Sequence, residues 1–242
     1  MPCYNEAQRL DASLCLALLE HPSLHVVFVN DGSTDTTLEV IAGIIAQNPV
    51  RFSVLNLQPN RGKAEALRAA MVQHSPHCDW VGYADADFAA PPSEIVRLLD
   101  IAFLRDCDAV VGSRVALSGR DIDRTVMRHY LGRVFGTSAS LVLGRPFYDT
   151  QCGLKWFRTT PGLHRALSRV FSSKWFFDVE LLGRLFLSAS NDRAPSPYSI
   201  HEEPLLVWHD VAGTKLKATD FLAVPRDLLR IRRALRGWAS GA

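Results

Sequence analysis

An α/β architecture, with a mixed but mainly parallel sheet flanked by helices, is the fold class this 242-residue chain predicts. Two observations carry it. Short β-rich apolar runs alternate with stretches of helical periodicity, at intervals of about 25–30 residues through the first half. Polar turns then gather just after the β-rich runs, and sheets of this kind bind ligands beyond the carboxyl ends of their strands.

The elements follow in order. Met1-Pro2-Cys3-Tyr4-Asn5-Glu6 opens as a loop, and Ala7, Leu10, Leu14 and Leu18 form a helical stripe. His25 to Val29 is a strand closed by the turn Asn30-Asp31-Gly32-Ser33. Thr34 or Asp35 can cap the next helix, whose stripe is Leu38, Ile41 and Ile45. Phe52 to Leu57 is a second strand, and Asn60-Arg61-Gly62-Lys63 leads into a helix burying Leu67, Ala70 and Met71. Trp80 to Tyr83 is a third strand, followed at once by Asp85 and Asp87. Pro91-Pro92-Ser93-Glu94 starts a helix with Ile95, Leu98 and Leu99 inside, and Asp108 to Gly112 is a strand ending in Gly112-Ser113-Arg114.

The second half loses this rhythm. Arg120 to Arg133 is rich in arginine (Arg120, Arg124, Arg128, Arg133), with a mostly apolar helix running on to Leu143. A polar segment, Asp149 to Lys155, lies between Tyr148 and Trp156. A helix starts in Trp175-Phe176-Phe177-Asp178, where Asp178 is either an N-cap or a functional carboxylate. Asn191 to Pro197 is a polar loop, and His201 to His209 is a late strand with Leu205 and Val207 on one face. In Phe221 to Trp238, Leu228, Ile231, Leu235 and Trp238 fall at helical spacing among five arginines. That segment is either an interfacial helix on anionic lipid or a helix packed on the domain with its arginines in water.

Composition narrows the classes. Apolar residues at 48% and charged residues at 21% suit one globular domain over residues 1–242. Within it, 1–115 forms a ligand-binding half, 116–218 a second half, and 219–242 the basic C-terminal helix. A net charge of +2 gives no reason to expect nucleic acid as a partner. Five scattered cysteines without a CxxC pair argue against a structural zinc site and for reduced thiols in a cytoplasmic protein. No signal peptide is visible. The longest nearly uncharged run, Val134 to Gly144, is too short to span a bilayer at about 1.5 Å per residue. Any membrane contact is therefore expected to be peripheral, on the cytoplasmic face.

The acidic pair carries the chemistry. Residues at i and i+2 of a strand point the same way, so Asp85 and Asp87 can reach one cation at the sheet edge. Hard oxygen ligands of this kind suit Mg²⁺ or Mn²⁺ with substrate phosphates completing the shell. The plain alternative is an acidic loop after a strand. Asp31 and Arg114 sit at neighbouring strand ends, and each has the same plain alternative, a solvated turn residue.

The order of these pieces resembles glycosyltransferase family 2, with its Rossmann-like GT-A fold. The segments are Pro2-Cys3-Tyr4-Asn5-Glu6, Val29 to Asp35, Asn60-Arg61-Gly62-Lys63, Asp85-Ala86-Asp87 and Gly112-Ser113-Arg114. Asp149 to Lys155 and Trp175 to Glu180 look most like the dolichyl-phosphate or polyprenyl-phosphate β-glucosyltransferase branch. The resemblance implies a nucleotide-sugar donor held by Pro2, Tyr4, Glu6, Asp31, Lys63 and Asp85. It implies Asp85 and Asp87 as metal ligands, and Arg114, Arg128 and Lys155 as ligands of the acceptor phosphate or donor diphosphate. The catalytic set is then Asp87, Arg114 and Asp178, with Asp178 structural or acceptor-side rather than a base. Arg128 has the alternative of a solvated surface arginine.

The expected activity is inverting transfer of a hexose, glucose from UDP-glucose first, to polyprenyl phosphate. The alternatives are GDP-mannose as donor, a soluble sugar acceptor, or a non-catalytic nucleotide-sugar-binding protein. Three departures are visible. The family's first strand is expected to be missing, because the chain starts at the Pro-Cys-Tyr-Asn-Glu loop. Ala89 stands where some relatives carry a further metal ligand. Neither a membrane anchor nor a C-terminal membrane domain is seen.

Overall fold

The computed structural model describes residues 1–191, 198–211 and 224–240. Its strands are β1 (Pro2–Cys3), β2 (Val26–Asp31), β3 (Phe52–Leu57), β4 (Trp80–Tyr83), β5 (Ala109–Ser113), β6 (Asp121–Asp123), β7 (Lys155–Arg158), β8 (Ile200–Pro204) and β9 (Val207–His209). Its α-helices are α1 (Ala12–Ala17), α2 (Thr37–Gln47), α3 (Lys63–His74), α4 (Pro92–Leu104), α5 (Val126–Leu143), α6 (Pro161–Leu167), α7 (Phe177–Asn191) and α8 (Val224–Ser240). Strands β1, β2 and β3 form a parallel sheet in that order. A second sheet runs β4-β7-β5-β8, with β7 antiparallel to both neighbours and β8 parallel to β5. The short parallel pair β6-β9 stands beside them.

Alternation along the strands divides the core into two layers. On one face Phe28, Trp156 and Val110 pack with Leu18, Ile41, Ile44, Ile95 and Leu98 from the helices that cover them. On the other, Tyr83, Val111 and Phe157 pack with Leu67 of α3, Leu163 of α6 and Leu181 of α7. Helices on both faces are what a buried, largely parallel sheet requires.

Several sequence expectations shift. The first helix begins at Ala12 rather than Ala7, because Asp11 accepts the backbone N–H groups of Ser13 and Leu14 and caps it there. Of the family's first strand, expected to be missing, two residues are present as β1. Its Pro2 and Cys3 register with Val29 and Asn30, and the Met1 ammonium donates to the Val27 carbonyl at 2.8 Å. The late strand is two strands, β8 and β9. Pro204 has no N–H to continue a ladder, and the Leu206 N–H turns to the Glu94 carboxylate at 2.8 Å.

Strand β7 and helix α6 follow the polar segment Asp149 to Lys155, in a stretch where no element was expected. The C-terminal helix takes the packed alternative. Ile231 and Leu235 are buried against Ala139 of α5 and Val179 of α7, with Leu228 partly buried beside them. The start expected for that helix, 221–223, lies outside the described residues, as does nearly all of the loop expected at 191–197.

Candidate active site

The carboxyl ends of β1, β2, β4 and β5 meet at one rim, and the candidate residues follow them directly. Strand β4 ends at Tyr83, so Asp85 and Asp87 are not held by strand alternation. A turn holds them instead, and the buried Phe88 within it adopts a left-handed φ of 52°. A bulky residue in that region marks local strain, and such strain concentrates at functional sites. The turn keeps the two carboxylates near each other. Burial, and then the charge of Asp85, push the Asp87 pKa up, while Lys63 and Arg9 pull the other way.

Lys63 reaches this pair from the start of α3, its ammonium 2.5 Å from Asp85 Oδ1. Burial opposes its charge, but Asp85, Asp178 and Asp87 together hold its pKa above the ordinary lysine value. What places Lys63 is Asp31. Both Asp31 oxygens accept backbone N–H groups, from Arg61 and Gly62, each at 2.8 Å. The turn needs glycine, since Gly62 has φ 89°. Asp31, expected as a donor ligand, therefore braces the lysine's turn. The first loop is tied in by Asn5, whose side chain accepts the Thr34 N–H at 2.8 Å. Beside it, Tyr4 is exposed, Pro2 lies in β1, and Glu6 pairs with Arg9 at 2.7 Å.

Behind the rim lies a second charged group. Lys155 is fully buried, and its ammonium donates to Asp178 Oδ1 at 2.7 Å and to the Cys152 carbonyl at 2.5 Å. The Tyr83 hydroxyl donates to the same Asp178 oxygen. Lys155, expected as a phosphate ligand, presents no charge to the rim in this arrangement. Asp178 sits in the first turn of α7 as the partner of Lys155 and Tyr83 rather than as its N-cap. The missed strand β7 explains this. Lys155 stands between Tyr83 and Val111 in the register, on the face that α7 covers.

The second half contributes an arginine cluster. Arg114 follows β5 and closes its guanidinium on Asp149, Nε at 2.6 Å and Nη2 at 2.9 Å. Its charge also lies 4.9 Å over the Trp208 ring. Burial raises the Asp149 pKa, yet Arg114 and then Arg124 outweigh it and hold the carboxyl well below the carboxylate range. Arg128 pairs with Asp210 at 2.8 Å. Arg124, which motif reading did not single out, is the informative member. Its Nη2 donates to the Arg128 carbonyl at 3.2 Å, but its Nε is buried without a hydrogen-bond partner among the described residues, and burial together with Arg114 pushes its pKa down against the opposing charges of Asp149 and Asp210. A guanidinium so placed, with carboxylates already near it, can still receive a further anion at its free Nε.

Gly153 also went unread as a site residue. A Cβ there would stand 2.1 Å from Asp85 Oδ2, so any larger residue would have to displace the carboxylate. Its φ is outside the left-handed region, so space and not backbone freedom demands it.

The model of the family "Glycosyl transferase family 2" matches residues 1–166. A dolichyl-phosphate beta-glucosyltransferase of Trichomonas vaginalis is 28% identical over 96% of this chain and 69% of its own length. A polyprenol monophosphomannose synthase of Mycolicibacterium smegmatis is 28% identical over 76% of this chain and 69% of its own. Among solved structures, glucosyl-3-phosphoglycerate synthase from Mycobacterium tuberculosis was determined with Mn²⁺, UDP and glucosyl-3-phosphoglycerate. It superposes with a TM-score of 0.65 at 17% identity, covering 98% of this chain and 78% of that one. Likeness at that identity shows the fold, GT-A. With the family's pattern running from the first residue through β7 and into α6, this chain belongs to glycosyl transferase family 2.

Proposed function

We propose that the protein transfers a hexose, glucose from UDP-glucose in the first instance, to a polyprenyl phosphate. The observation that carries this reading is the extent of the likeness to a dolichyl-phosphate beta-glucosyltransferase. It covers 96% of the chain and so includes the arginine-bearing second half as well as the nucleotide half. The polyprenol monophosphomannose synthase favours GDP-mannose as the second reading, with the same class of acceptor.

The residues at the rim suit a nucleoside diphosphate with a divalent ion. Asp85 and Asp87 are two half-buried carboxylates held close enough that one raises the pKa of the other, and a cation relieves that repulsion. Among the described residues no group of three or more acidic, His or Cys side chains could hold a metal. The diphosphate and water would complete the shell around Mg²⁺ or Mn²⁺. Bound there, the ion would offset charge on the departing nucleoside diphosphate.

The protein's own side chains account for the rest. Arg124 and Arg128 would receive the acceptor phosphate, which is ionised at neutral pH and needs no strong base. That fits the carboxylates nearby. A hydroxyl acceptor requires a general base, but Asp149 is fixed to Arg114 and held below the range in which it could take a proton. Asp178 is fixed to Lys155 and Tyr83. The work left to the site is to bring two anionic partners together and screen their repulsion.

The test is transfer of radiolabel from UDP-glucose or GDP-mannose into butanol-extractable lipid, with polyprenyl phosphate present or omitted and with Mn²⁺, Mg²⁺ or chelator. Label from UDP-glucose that depends on both lipid and metal is the expected result. Label from GDP-mannose alone selects the second reading. Lipid label from neither donor overturns the acceptor assignment.

A further inference from the structure

Helix α5 carries an apolar stripe that faces away from the protein. Phe135, Ala139, Val142 and Leu143 pack toward α7 and α8. On the opposite side Val126, Met127, Tyr130, Val134 and Leu141 are each between 59% and 81% exposed. An 18-residue helix with apolar residues on both sides has an unsatisfied face, and a stripe that long is not scattered surface noise.

Its neighbour supplies charge. Helix α8 packs on the same cluster through Ile231 and Leu235, which turns Arg226, Arg230, Arg232, Arg233 and Arg236 outward. Arg226, Arg230 and Arg233 surround the exposed Leu229 and line an open notch of about 420 Å³ with it. One carboxylate offsets part of this charge, since Asp227 lies 3.7 Å from Arg226 and 3.8 Å from Arg230. Residues 126–143 contain no Asp or Glu, and the only acid of 224–240, Asp227, is buried.

We propose that α5 and α8 together form a membrane-contacting face. The α5 stripe would enter the headgroup and acyl boundary, and the α8 arginines would meet anionic headgroups. A shallow apolar stripe beside a face with a net positive charge has the chemistry of an interfacial helix pair, with the two properties divided between two helices. It differs from the expectation drawn from the sequence, in which the stripe of α8 itself entered the lipid; that stripe is inside the protein.

Placement links this face to the site. Arg128, one turn into α5, pairs with Asp210, and Gly136 lies so close that an added Cβ would stand 2.4 Å from the Tyr148 carbonyl, next to Asp149. A bilayer on α5 would hold a lipid-borne phosphate near Arg124 and Arg128. That last step alone rests on the transfer reading.

The experiment is flotation of the full chain with vesicles of phosphatidylcholine, with and without phosphatidylglycerol, and no polyprenyl phosphate. Leaving out the acceptor keeps the outcome independent of whether the transfer reading holds. Binding to the anionic vesicles, weakened by salt, is expected. The triple variant Arg226→Gln, Arg230→Gln, Arg233→Gln should lose about a hundredfold in partitioning, at roughly fivefold per charge removed. The triple Arg→Lys variant should retain it. The pair Val134→Glu, Leu141→Glu should also lose binding, while Leu104→Glu, an exposed position on α4, should not; thermal melts confirm that each is folded. No flotation of the wild type overturns the proposal. So does equal flotation of the Val134→Glu, Leu141→Glu pair, or binding to soluble polyphosphate that matches vesicle binding and ignores that pair. Concentration-dependent self-association abolished by the same pair would assign the stripe to a second copy and overturn it equally.

Discussion

Replacing Gly153 by alanine isolates the geometry of the acidic pair from the stability of the fold. The new methyl would stand 2.1 Å from Asp85 Oδ2 and 2.6 Å from its Cγ. Ordinary contact begins near 3.4 Å, so the carboxylate must retreat by roughly 1 Å. The atoms that give way are the end of a partly exposed side chain, and the backbone at 153 tolerates a Cβ. The Asp85–Lys63 pair that breaks is itself about one-third exposed on each side, so its loss costs within about 1 kcal/mol. The melting temperature should then fall by no more than about 2–4 °C. Function should respond far more, because a misplacement of about 1 Å in a reacting site costs on the order of 100-fold. The assay is initial-rate transfer from UDP-glucose with UDP binding measured in parallel. Gly43→Ala, where an added Cβ meets nothing within 4 Å, is the control and should leave both unchanged. Wild-type kcat/KM in a folded Gly153→Ala protein would refute the assignment of Asp85 to the site.

Other outcomes follow from the same geometry. Asp149→Asn leaves the Arg114 guanidinium buried without its counter-charge and should cost about 3–5 kcal/mol, read as a melting temperature lower by on the order of 10 °C. Because the folded-state pKa of Asp149 is depressed, its contribution is full above the ordinary carboxylate range near 4 and is lost as pH falls through the depressed value. Acid unfolding of the wild type should therefore show a steep loss of stability below that range, and Asp149→Asn should flatten it. Lys155→Met should destabilise by about 3 kcal/mol, while Lys155→Met with Asp178→Leu should recover part of that loss in urea titrations, since an apolar pair does better than an orphaned charge. Asp87→Asn should leave the melt unchanged and abolish Mn²⁺ binding followed by electron paramagnetic resonance. In the wild type that binding should weaken on mild acidification sooner than an ordinary carboxylate would allow, because Asp87 has a raised pKa.

The alternation of β-rich runs and helical stripes through Ser113 determined the α/β class, and the polar turns at strand ends determined where the rim lies. These are local properties: a stripe or a turn is written in neighbouring residues. Asp85, Asp87, Lys63 and the arginine-rich start of the second half were legible for that reason. What surrounds each charge was not. Lys155 was expected as a phosphate ligand from the family resemblance, which says nothing of what surrounds it. Its burial depends on β7 threading between β4 and β5 and on α7 arriving 23 residues later with Asp178. Arg114 and Asp31 likewise met partners 35 and about 30 residues away in sequence. The α8 stripe had the composition of a lipid anchor, yet packing against α5 and α7 buried it and left the exposed apolar face on α5. Periodicity tells which side of a helix is apolar; only the arrangement of its neighbours decides which side is covered.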